Sequence, residues 1–133
     1  RTITHKLNLS RLNDIATEAS EQCERITIPE IFPPQKLISL IQDWDGERKI
    51  LFCDETIRHQ GGEISPNNKL FPNSSGAILI GPEGGFSSDE IKYIRQKNFV
   101  IPINLGPRIL RSDTAVITAL TIWQLMNGDM KQD

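Results

Sequence analysis

Two short stretches of this chain concentrate residues able to do chemistry. Gly81-Pro82-Glu83-Gly84-Gly85 sets three glycines around one carboxylate, with Pro82 to stiffen the turn. Leu105-Gly106-Pro107-Arg108-Ile109-Leu110-Arg111 supplies two guanidinium groups and runs into Ser112-Asp113-Thr114. Glycine lets a ligand approach the backbone and permits positive φ. The second stretch should open a helix, whose first turn presents free N–H groups and partial positive charge. An anionic substrate group could dock there beside Arg111, with Asp113 as an acid–base carboxylate. Taken singly, each loop is also compatible with an ordinary tight turn, Ser112 with a cap and Asp113 with a first-turn carboxylate. The first loop is not a Walker A loop, since no Gly-Lys-Ser/Thr follows, and it lacks the dinucleotide fingerprint.

Buried strands and helices must position these loops. Ala77-Ile78-Leu79-Ile80 is an apolar run leading straight into Gly81, and Phe99-Val100-Ile101-Pro102-Ile103 precedes the second loop. Pro102 places that strand's awkward residue at an end or an edge. Lys49-Ile50-Leu51-Phe52-Cys53 has the continuous apolar character of a buried parallel strand. Helical spacing predicts a first helix capped by Ser10, carrying Leu12, Ile15, Ala16, Ala19 and Cys23 inward to about Cys23–Glu24. A second helix runs from Leu37 past Trp44 and closes near Gly46. Ser87 and Glu90 have capping-box spacing, so a third helix follows with Ile91, Ile94 and Tyr93 inward. The last starts near Ser112, carries Ala115, Val116, Ala119, Leu120, Trp123 and Met126, and stops at Asn127-Gly128. The first nine residues alternate as a strand or an extended lead-in, residues 26–34 are a proline-rich connection, and the polar stretch from Thr56 to Ser75 is a long functional or mobile loop. Alternating strands and helices predict an α/β fold, mainly a parallel sheet with helices on both faces. Both glycine loops then lie at the carboxyl edge, where such sheets bind ligands.

The length of 133 residues suits one domain. A net charge of −2 with mixed signs neither demands nor excludes nucleic acid, so any RNA contact needs a local patch, a dimer groove or a second domain. The apolar runs are too short to cross a bilayer, and no signal peptide is visible. Cys23 and Cys53 have no metal-ligand spacing; they read as buried free thiols of a reducing, cytoplasmic compartment, and no metal is expected. His5 and His59 read as ordinary surface residues.

Three segments together resemble a known family. Ile80-Gly81-Pro82-Glu83-Gly84-Gly85-Phe86 with Ser88 and Glu90, then Leu105-Gly106-Pro107-Arg108-Ile109-Leu110-Arg111-Ser112-Asp113-Thr114-Ala115, closely resemble the signature loops of the RsmE family. Glu18-Ala19-Ser20-Glu21-Gln22-Cys23-Glu24-Arg25 is similar to that family's Glu-Ala-x-Glu-Gln-x-x-Arg helix motif. RsmE enzymes are SPOUT-class methyltransferases acting on N3 of a uridine in 16S ribosomal RNA with S-adenosylmethionine. The resemblance implies a deep C-terminal trefoil knot, an exception to the rule that chains are unknotted. It implies a homodimer whose site is completed by the second subunit, and a small-ribosomal-subunit substrate. The cofactor would be held by Ile80, Gly81, Pro82, Gly84, Gly85, Leu105, Gly106, Ile109, Leu110, Thr114 and Ala115, against backbone of the loops after Cys53, Ile80 and Ile103. Arg111, Asp113 and Glu83 would be catalytic; Arg25, Arg108 and Arg111 would meet RNA. Glu83 is equally readable as a brace for its own loop, and Arg25 as a helix C-terminal charge. The family carries Glu where this chain has Asp113, which keeps the carboxylate and shortens its reach. Family members also have an N-terminal PUA-like RNA-binding domain, so the resemblance implies that residues 1–133 are an N-terminally truncated catalytic domain. The rival readings are a SPOUT enzyme acting on another RNA, such as a tRNA 2′-hydroxyl, and a non-catalytic RNA-binding or ribosome-assembly module.

Overall fold

The computed structural model describes residues 7–57, 75–128 and 130, which fall into two compact units meeting in sequence between Leu40 and Ile41. His5, His59, the residues expected to alternate before Leu7 and most of the Thr56–Ser75 loop lie outside the described residues.

In the first unit, helix α1 spans Leu9–Gln22. Its cap is Asn8 rather than Ser10: the Asn8 carboxamide accepts the Arg11 N–H at 3.1 Å, which leaves Ser10 inside the first turn. The helix closes on Glu24, at φ 54°. Arg25 N–H donates to the Ser20 carbonyl at 2.9 Å and Glu24 N–H to Glu21 at 3.1 Å. That is a Schellman closure with glutamate where glycine is usual. The buried line along α1 runs through half-buried Leu12 and Ala16 to buried Ser20, whose hydroxyl donates to the Ala16 carbonyl at 2.8 Å. Ile15, Ala19 and Cys23 are exposed, so the expected inward stripe is rotated, and Cys23 is an exposed C-cap instead of a buried thiol. Helix α2, Leu37–Gln42, is shorter than the spacing suggested. The chain turns at Asp45, whose carboxylate accepts the Glu47 N–H, and Trp44 donates its indole N–H to the Arg48 carbonyl.

The second unit holds a parallel three-stranded sheet of β1 (Lys49–Cys53), β2 (Gly76–Leu79) and β3 (Val100–Ile103), in the order β2-β1-β3. The run that read as a buried strand is central, with Ile50, Leu51 and Phe52 all buried. Successive strand residues point to opposite faces, so both faces of β1 are covered. On one face Leu51 and Ile103 meet Trp123 of helix α4 (Ser112–Asn127). On the other, Phe52 meets Phe86 edge-on, with ring centroids 5.2 Å apart. Phe86 leads into helix α3 (Ser88–Arg95), which forms the expected capping box: Ser87 accepts from the Glu90 N–H, and the Glu90 carboxylate accepts from the Ser87 N–H. Pro102 sits on β3, at the edge of the described sheet, where a missing N–H is tolerated.

Helix α4 departs from expectation in one respect. Ala119 is buried and Trp123 packs inward, but Val116, Leu120, Ile117 and Leu125 are exposed. Its apolar residues encircle the helix, so the sheet can cover only part of them. A β-carbon on Gly76 would overlap the Trp123 ring, which explains the glycine at the start of β2. No helix among the described residues is long and apolar enough to cross a membrane.

Candidate functional site

The three parallel strands end side by side, and the residue following each (Asp54, Ile80 and Asn104) borders one cleft of about 290 Å³. Its volume is close to the lower range of small-ligand pockets. Both glycine loops form its walls, as their placement after strands of a parallel sheet predicts. The first contributes Gly81, Pro82, Glu83 and Gly85. The second contributes Leu105, Gly106, Arg108, Ile109, Leu110 and Arg111. Ala115 adds the first turn of α4. Gly84, Asp113 and Thr114 are not among the lining residues, although each adjoins one in sequence. Arg25 belongs to the other unit, where its N–H takes part in the Schellman closure of α1.

Each loop has a local cause. Gly85 N–H donates to the Pro82 carbonyl at 2.8 Å, closing a tight turn, and Gly85 adopts φ 61°. A β-carbon there would stand 3.0 Å from Oε1 of Glu55. At Gly81 a β-carbon would press on the Phe86 ring at 2.9 Å, so glycine lets that ring close over the turn. Gly106 has open space around it but adopts φ 114°, and its N–H donates to the Asn104 side chain at 2.8 Å. Gly85→Val is expected to lower stability by about 2 kcal/mol, because a β-branched residue is strained at positive φ. A urea midpoint unchanged from the parent would remove that requirement.

Arg111, rather than Ser112, is the N-cap of α4. Its carbonyl accepts the Ala115 N–H at 2.8 Å, while its side chain makes no capping bond. The backbone is anchored and the exposed guanidinium is available to a ligand. Ser112 instead turns its hydroxyl to Glu83 Oε1 at 2.9 Å, tying the two glycine loops together. Glu83's own backbone N–H, and then the Ser112 hydroxyl, hold its carboxyl below the usual carboxylate range. A carboxylate so stabilised is a weak proton acceptor, which favours the bracing role over the catalytic one. Asp113, exposed in the first turn, accepts the Thr114 N–H at 2.8 Å.

Sequence reasoning named no side chain of the loop after β1, yet Asp54 and Glu55 border the cleft, beside Cys53 at the end of β1. The available signal was position: Asp54 follows a strand as Ile80 and Asn104 do, although only β1 is buried along most of its length and β2, expected to be buried, is half-buried throughout. Asp54 is buried and ion-paired with Arg95 of α3. Cys53 is half-buried, and burial pushes its thiol from 9.0 up to about 12. Iodoacetamide at pH 8 is therefore expected to label exposed Cys23 at least about a hundredfold faster than Cys53. Mass spectrometry reads both sites, and equal rates would contradict this assignment.

Residues 1–124 match the model of the RNA methyltransferase domain. Ribosomal RNA small subunit methyltransferase E of Buchnera aphidicola (subspecies Schizaphis graminum) is 40% identical over 118 residues, covering 88% of this chain and 45% of that protein. The protein of the same name from Rickettsia conorii is 34% identical over 128 residues, 95% of this chain and 50% of that one. The chain thus spans about half the length of the curated relatives it matches. A crystal structure of ribosomal RNA small subunit methyltransferase E from Neisseria gonorrhoeae, bound to S-adenosyl methionine, superposes with a TM-score of 0.78 at 27% identity. That alignment covers 92% of this chain and 49% of the other. The RsmE resemblance of the loop motifs is borne out by these relatives, and the chain belongs to the RNA methyltransferase domain family.

Proposed function

We propose that this chain is the catalytic domain of an S-adenosylmethionine-dependent methyltransferase acting on N3 of a uridine in 16S ribosomal RNA. The observation that carries this is the cleft at the three parallel strand ends, walled by both glycine loops and bordered by Arg111. The residues suit the cofactor. Ile80, Phe86, Leu105 and Leu110 offer apolar surface for an adenine ring, and the glycine backbones admit close approach. When bound, S-adenosylmethionine supplies an activated methyl group. The protein's part is to orient both reactants and to prepare uracil N3, a poor nucleophile until its proton leaves. Arg111, beside the uracil oxygens, stabilises the charge that appears as the proton departs. Asp113, exposed and next in sequence to the lining residue Ser112, receives that proton, and Glu83 keeps its loop in place through Ser112.

In the same reading the chain after β3 threads a trefoil knot, and the exposed apolar residues of α4 meet a second subunit that completes the site. Arg25 and Arg108 contact RNA, a PUA-like domain adds affinity, and the enzyme works on small ribosomal subunits in the cytoplasm. The test is nucleoside mass spectrometry after incubation with cofactor and either small subunits or tRNA. The expected product is 3-methyluridine in 16S RNA; a 2′-O-methylated tRNA nucleoside, or no product, overturns the proposal.

A further inference from the structure

The loop after β1 carries side chains that the proposed mechanism leaves unused. Asp54 is clamped from two sides. Its Oδ2 accepts Arg95 Nε at 2.7 Å and also pairs with Nη2, while Oδ1 accepts the Thr56 N–H at 3.0 Å and the Thr56 hydroxyl at 2.7 Å. Arg95 Nη2 also donates to Thr56 Oγ1 at 2.6 Å. Glu55 lies between these two anchored residues, so its backbone is held although its side chain is exposed. That side chain borders the cleft, with Oε1 3.0 Å from the place a β-carbon on Gly85 would occupy. Of the other two cleft carboxylates, Asp54 is clamped as described and Glu83 is engaged by Ser112. Glu55 forms no hydrogen bond through its carboxylate among the described residues, and an ionised carboxylate offers about four acceptor positions.

We infer that Glu55 is a cofactor-recognition residue, its carboxylate accepting hydrogen bonds from donor groups of S-adenosylmethionine. This rests on the methyltransferase reading and deepens it. The cofactor has two sources of such donors, the ribose diol and the α-ammonium, and an acceptor on the sheet's carboxyl edge can serve either. Glycine at position 85 leaves the carboxylate room to stand there.

Calorimetric titration of the full chain tests this with S-adenosylmethionine and with 5′-methylthioadenosine, which keeps the diol and lacks the ammonium. Glu55→Ala should bind S-adenosylmethionine about tenfold or more weakly, the scale of a hydrogen bond to a charged group. Glu55→Gln should retain part of that affinity, because its amide oxygen still accepts. An equal loss for methylthioadenosine assigns the contact to the diol; a loss shared by S-adenosylmethionine and S-adenosylhomocysteine, which keeps the ammonium without the sulfonium, but not by methylthioadenosine assigns it to the ammonium. If Glu55→Ala binds S-adenosylmethionine within twofold of the parent, the assignment is overturned while the methyltransferase reading stands. If the parent itself does not bind, both fall together.

Discussion

Arg111→Ala is expected to slow methyl transfer to small-subunit RNA by at least about a hundredfold, with cofactor affinity changed less than about threefold. The split follows from the residue's two halves. Its carbonyl is fixed by the Ala115 N–H, so alanine keeps the start of α4 and the second cleft wall. Its guanidinium makes no capping bond and borders the cleft, so truncation removes a charge aimed at a ligand. A group that stabilises charge only as the N3 proton leaves acts on kcat more than on ground-state binding. Single-turnover rates at saturating cofactor read this directly, and a rate within twofold of the parent would end the assignment.

Arg95→Leu should have the largest effect on stability, about 3 kcal/mol. Asp54 retains only 1% of its side-chain exposure, and losing its cation leaves a buried charge held by Thr56 alone. The double replacement Asp54→Leu with Arg95→Leu should recover much of that loss, because removing both partners is far cheaper than orphaning one. Urea denaturation of the two single variants and the double variant forms a complete cycle. Additive losses would mean that the pair is not coupled.

The sheet was the most legible part of the sequence. Continuous apolar runs such as Ile50-Leu51-Phe52 mark a strand buried on both faces, and the glycine loops could be placed by what preceded them. Both capping-box partners of α3 were readable because their pattern is local. The first helix was less so. Its cap, Asn8, precedes a serine of equal propensity, and its end is set by Glu24 at positive φ, with no glycine to announce it. The exposed flank of α4 was hidden for another reason: a helix apolar on all sides has no phase from which to read an inward face. The Asp54–Arg95 clamp was illegible because it joins residues 41 positions apart.

The Glu83–Ser112 hydrogen bond has a mechanical consequence. It is exposed and joins one wall of the cleft to the other at 2.9 Å. Such a bond is worth about 1 kcal/mol, which leaves it open in roughly one molecule in six at 25 °C. It therefore acts as a light tie between the two loops, one that a competing hydrogen-bond partner of Glu83 or Ser112 can replace at little cost.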